Sequence, residues 1–130
     1  MELGVVGSRT ITDYDVVRNA INKSPWYDKS KDRVIATMGE PRVTIVSGGA
    51  KGVDTSADLF ASKNNLDIEI MEPDYTDWSG EHPAVRRNTK IVAKSDAIVA
   101  VWNGRSSGTR DTIDKSLDRG VPIYVEVVDS

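Results

Sequence analysis

The sequence predicts an α/β fold, a single doubly wound domain built on a five-stranded, mainly parallel sheet. Three observations predict it. Apolar runs rich in β-branched residues alternate along the chain with segments of helical spacing, the signature of strand–helix units. The inner runs are nearly continuous rather than alternating, as in strands covered on both faces. Glycine-rich turns close several of the runs just before a helix begins.

The strands are expected at Leu3 to Val6, Val43 to Val46, Ile68 to Met71, Ala97 to Trp102 and Val121 to Val128. The first helix is expected from Asp13 to Ser24, where Val16, Val17, Ala20 and Ile21 form one stripe behind the N-cap candidates Thr12 and Asp13. A second, Val53 to Asn65, follows Gly52 and carries Val53, Ala57, Phe60 and Ala61 on one side. Ala84 to Lys94 and Thr109 to Arg119 complete the set. The alternation predicts a Rossmann-like sheet of order 3-2-1-4-5 with right-handed crossovers and helices on both faces. Pro25 to Pro41 makes a long linker, an extension of the first helix, an added short helix or a contact surface for a partner protein.

The 130 residues match one domain, taken as 1–130, and 38% apolar with 28% charged residues is ordinary for a folded chain. No cysteine is present, which removes disulfides, thiolate metal sites and cysteine nucleophiles and points to a cytoplasmic setting. The N-terminus has no basic leader, and no apolar run approaches the roughly 20 residues needed to cross a bilayer, so no membrane is expected as a partner. The net charge of −3 argues against nucleic acid as a partner, yet leaves room for a small anion on a local cluster of arginines. No metal site and no cofactor are expected; His82, the sole histidine, has no cluster of ligand-type residues around it.

Three turns have the composition of a phosphate cradle. Gly7, Ser8 and Arg9 end the first strand, and glycine there allows close backbone approach while arginine pairs with an anion. Ser47, Gly48, Gly49, Lys51, Gly52 and Asp54 span the second turn, ahead of a helix whose N-terminal amides favour negative charge. Asp54 reads equally as a helix cap. Asn103, Ser107, Gly108 and Thr109 belong to the third, after the fourth strand. Arg87 and Asn88 are placed to approach the same crevice, and Trp78 to stack on a base, against the alternatives of a solvated basic face and a packing tryptophan. Because strand order reverses between the first and fourth strands, these loops are expected to converge.

With these motifs the chain resembles the SLOG superfamily, the Rossmann-like group that includes the LOG and DprA proteins, and is most similar to its small YspA/YpsA-like branch. The resemblance implies a pocket for a nucleotide or a nucleotide-derived ligand, ADP-ribose-like, cyclic or mononucleotide, and a homo-oligomer. LOG enzymes carry a Pro-Gly-Gly-x-Gly-Thr-x-x-Glu loop whose glutamate helps to cleave an N-glycosidic bond. Here Thr112 stands at that position, and a threonine cannot act as a general base in place of a carboxylate. The expectation is therefore a nucleotide sensor or sequestering module, with a hydrolase using Asp111 or Asp54 as acid/base group for the catalytic alternative and a protein-interaction module using residues 25–41 as the other.

Overall fold

The computed structural model describes residues 1–31, 33–34 and 42–129. The chain runs β1 (Glu2–Gly7), α1 (Tyr14–Lys23), β2 (Tyr27–Asp28), β3 (Arg33–Val34), β4 (Thr44–Ser47), α2 (Val53–Lys63), β5 (Asp67–Ile70), α3 (Pro83–Lys94), β6 (Ala97–Trp102), α4 (Ser107–Arg119) and β7 (Ile123–Val127). Five strands form one sheet in the order β5-β4-β1-β6-β7, every pair parallel, which is the order expected from the alternation of elements. A two-residue pair, β2 with β3, adds a separate antiparallel hairpin inside the long linker. Residues 32 and 35–41 of that linker lie outside the described residues, as does the partner-contact role considered for it.

Both faces of the sheet are covered because side chains alternate along each strand. Leu3, Val5, Ile45, Val99 and Val101 pack against α1 and α2 through Val17, Ile21, Val53, Ala57 and Phe60. Val6, Val46, Ile98 and Ala100 turn the other way, onto Ile91 and Val92 of α3, with Ile113 of α4 beside them. The two central strands, β1 and β6, are therefore buried on both sides, and their sequences read as nearly continuous apolar runs for that reason.

Helix ends follow local chemistry. Asp13 caps α1 by accepting from the Asp15 amide at 2.9 Å, and Gly120 ends α4 in the left-handed region that glycine adopts without strain. The fourth helix starts two residues earlier than the expected Thr109, because Ser106 supplies the cap and accepts from the Thr109 amide at 3.4 Å. Among the described residues, no helix is long and apolar enough to cross a membrane.

Candidate functional site

Parallel strands in this order bring the C-terminal ends of β1, β4 and β6 side by side, and the loops that follow them meet in one crevice. At its floor, a cavity of about 90 Å³ is lined by Gly7, Arg9, Asp54, Arg87, Asn88, Ser106, Gly108 and Thr109, among others. It shares Arg9 and Arg87 with a cavity of about 550 Å³ bordered also by Gly48, Gly49, Lys51 and Tyr75. It shares Arg9, Asn88 and Gly108 with one of about 720 Å³ bordered also by Ser8, His82, Asn103, Arg105 and Ser107. Arg9 borders all three.

Within this crevice the candidate residues divide into those that hold the walls and those that line the space. Ser8 is buried, and its hydroxyl accepts from the Asn103 amide at 3.1 Å, tying the first loop to the third. The Asn103 side chain accepts from the amides of Arg105 and Ser106, each at 2.8 Å, and so sets the turn that leads into α4. Ser47 is fully buried and donates to Asp58 at 2.7 Å; it supports α2 and borders none of the three cavities. Thr109, also buried, donates to the Ser106 hydroxyl at 3.2 Å.

Glycines allow these loops to touch. A side chain at Gly7 would run into the Val101 carbonyl and Val53. At Gly52, φ is +75° and a Cβ would lie 2.6 Å from the Ser8 carbonyl oxygen, so only glycine lets β1's loop rest on the start of α2. That contact is completed by the Val53 amide, which donates to the Ser8 carbonyl at 3.4 Å.

Charge inside the crevice is arranged around Arg87. Its Nη1 donates to the Gly48 carbonyl at 2.6 Å and its Nε to Asn88 at 3.0 Å. Burial pulls this guanidinium below its ordinary value, and the nearby Asp54 carboxylate opposes the shift while Arg9 adds to it. Asp54 does not cap α2; it accepts from the Ala50 amide at 3.1 Å and braces the glycine-rich turn from within. Burial raises its pKa, against the pull of the Ala50 amide and of Arg87.

Asp111, considered as an acid or base, is committed elsewhere. It accepts from Asn88 at 3.1 Å and from Lys115 at 2.8 Å, and Lys115 also donates to the Val85 carbonyl at 3.0 Å, so the group locks α3 to α4. Arg9, Lys51 and Arg105, by contrast, are exposed and have no ion-pair partner among the described residues. Ser107 and Gly108, exposed in the first turn of α4, carry amides that a helix leaves without an internal acceptor.

Four further residues belong here. Arg105 and Ser106 lie in the third loop beside residues that the turn composition picks out. Tyr75 and His82 flank Trp78, with ring centroids 6.0 Å apart for Tyr75–Trp78 and 5.1 Å for Trp78–His82. Trp78 is 60% exposed, so it is not a packing tryptophan. Its loop is held by Asp77, which accepts from the Ser79 hydroxyl at 2.6 Å and from Arg86 at 3.1 Å.

Those bonds, the Ser79 hydroxyl first, bring the Asp77 carboxyl down from 3.8 to about 2. Since the folded value is the lower one, the loop's stabilisation is present above 3.8 and is lost as pH falls through about 2. In a chain whose other tryptophans, Trp26 and Trp102, are replaced by phenylalanine, Trp78 emission should change in that window. Asp77→Asn should remove the transition; a transition that survives would show that another group holds the loop.

Fold and crevice together define a doubly wound α/β protein with a cavity at the reversal of strand order. No protein-family model matches the chain, and no curated protein does. Solved structures do match. DNA processing protein A (DprA) from Streptococcus pneumoniae is 19% identical with a TM-score of 0.63, over 95% of this chain and 49% of that one. DprA from Helicobacter pylori, solved for insight into its unique single-stranded DNA binding mode, is 18% identical with a TM-score of 0.64, over 96% of this chain and 64% of that one. The chain thus spans about half to two thirds of these proteins and shares their Rossmann-type fold.

These neighbours overturn two expectations. One is the crevice as a sensor, sequestering site or hydrolase for a nucleotide-derived small molecule; the other is the exclusion of nucleic acid as a partner. The fold's counterparts are DNA-processing proteins, and one is described by how it binds single-stranded DNA. The physical reason is that a net charge of −3 is a sum over the whole surface, whereas binding responds to the potential in one groove. Among the described residues, no group of His, Cys, Asp and Glu could hold a metal ion.

Proposed function

We propose that this chain binds single-stranded nucleic acid, DNA in the first place, along the crevice at the C-terminal ends of β1, β4 and β6. The observation that carries this reading is a set of cations without an ion-pair partner among the described residues, spread over three cavities that share lining residues: Lys51 on one, Arg105 on another and Arg9 on all three. A strand of phosphates needs such a series, while a compact ligand would use one cavity. The glycine-rich turn and the first amides of α4 offer backbone N–H groups to phosphate oxygens, and Arg87, which borders two of the cavities, fixes the wall between them and supplies a further charge-assisted contact. The DprA neighbours support the same partner class. The finer resemblance, to the YspA/YpsA-like branch, rests on the same loops, and a cytoplasmic setting is in keeping with a cysteine-free chain.

Fluorescence anisotropy with a labelled oligothymidylate at several salt concentrations tests the reading. Affinity should fall as salt rises, and Arg9→Ala and Lys51→Ala should each weaken binding and reduce the log–log slope by about 0.7, one single-strand phosphate contact. Binding that ignores salt, or that neither substitution alters, would overturn it.

A further inference from the structure

We infer that the loop between β5 and α3 is a base-stacking platform, with Tyr75 and Trp78 as its rings, which makes the crevice select unpaired nucleotides over duplex. This rests on the nucleic-acid reading above. Tyr75 is 50% and Trp78 60% exposed, and among the described residues they are the large aromatics left in that state. Lone exposed apolar side chains are common, but these two are neighbours, and they are held in place by polar ties rather than by the core. The Trp78 indole donates to the Tyr75 carbonyl at 2.6 Å, and Asp74 accepts from the Thr76 amide at 3.0 Å. His82 stands edge-on to both rings, and its own orientation is set because its Nδ1 accepts from the Ala84 amide at 3.0 Å at the start of α3. The rings are therefore ordered before anything binds, which lowers the entropic cost of stacking.

The surroundings identify the occupant. Tyr75 borders the same cavity as Arg9, Lys51 and Arg87, so ring and cation lie within one groove. Around the rings the exposed neighbours are polar or charged, Asp74, Asp77, Ser79 and Glu81, which gives an apolar protein face little to bury against. An aromatic pair joined through Tyr75 to a cavity bordered by cations matches alternating bases and phosphates. In a duplex the base faces are already stacked on each other and cannot meet these rings, so the platform adds affinity for single strands alone.

The test uses the full chain with three labelled probes: oligothymidylate, an abasic strand of equal length, and a duplex. Oligothymidylate should bind about tenfold tighter than the abasic strand and the duplex. Trp78→Ala should bring oligothymidylate down to the abasic level while abasic affinity and its salt slope stay as in the parent. Trp78→Phe, which keeps a ring, should hold most of the preference, and circular dichroism should show both variants folded. If the parent chain binds oligothymidylate and abasic strand equally and with salt dependence, the platform is refuted while the nucleic-acid reading stands. If it binds none of the probes, both are refuted.

Discussion

Gly52→Val should destabilise the chain by about 3 kcal/mol or more and abolish oligonucleotide binding. At φ +75° and ψ −124° the backbone is in a region that β-branched residues avoid, at a cost of about 1–3 kcal/mol. The added Cβ then meets the Arg9 and Ser8 carbonyl groups at 2.5 and 2.6 Å, and these are backbone atoms at the end of the central strand, which cannot swing aside. Gly49 provides the contrast. Its φ is +70°, but a Cβ there would meet the side chains of Ile70 and Glu72, which can rotate away. Urea unfolding of Gly52→Ala and Gly49→Ala side by side should therefore show a much larger loss for the first. Equal losses would mean that strain in the backbone, and not the docking of one loop on the other, decides the effect.

Arg87→Met should reduce single-strand affinity by about 10- to 100-fold, the range for losing one charge-assisted phosphate contact and its pre-ordered wall. The same substitution strips the Gly48 carbonyl of its donor and takes an opposing positive charge from Asp54, whose pKa burial already raises. Stability should fall as well, by about 1–3 kcal/mol. Loss of Arg87 pushes the Asp54 value higher still, so the deficit should deepen as pH rises through that value, where the folded chain must give up a proton it holds more tightly than the unfolded chain does. Adding Asp54→Asn should recover part of the stability but none of the affinity, and Arg87→Lys should recover little of either because an ammonium lacks the guanidinium fork. Should Asp54→Asn restore binding, Arg87 would be acting only on the wall.

The order of the sheet was legible because the central strands announce themselves. Leu3 to Val6 and Ala97 to Trp102 are apolar at every step but Gly4, as only strands covered on both sides are, and each leads through a turn into a helix. The hairpin of β2 and β3 was not, since two residues per strand leave no period to detect. At the site, the turns that composition singles out meet in one place, where Gly7, Arg9, Gly48, Lys51, Arg87 and Gly108 border its cavities. What composition cannot express is which partner a polar group takes. Ser8, Ser47, Asn103 and Asp111 look like ligand groups in a linear reading, yet each is bonded to a residue of the fold. Asp111 is joined to Asn88, more than twenty positions away, which no local pattern reveals. Nor does net charge show that Arg9, Lys51 and Arg105 stand together, or that Tyr75 and His82 flank Trp78.

The bond between Ser8 and Asn103 joins residues 95 positions apart. The crevice exists only once β1 and β6 have paired, and that pairing closes most of the chain into a single loop. Such closure comes late and slowly in folding, after local helices have had every opportunity to form. No shorter fragment that lacks either strand contains the site, and a ligand seated there acts as a clasp across the whole molecule. Protection of amides against hydrogen exchange, when the site is filled, should then spread through the central strands and not stop at the loops.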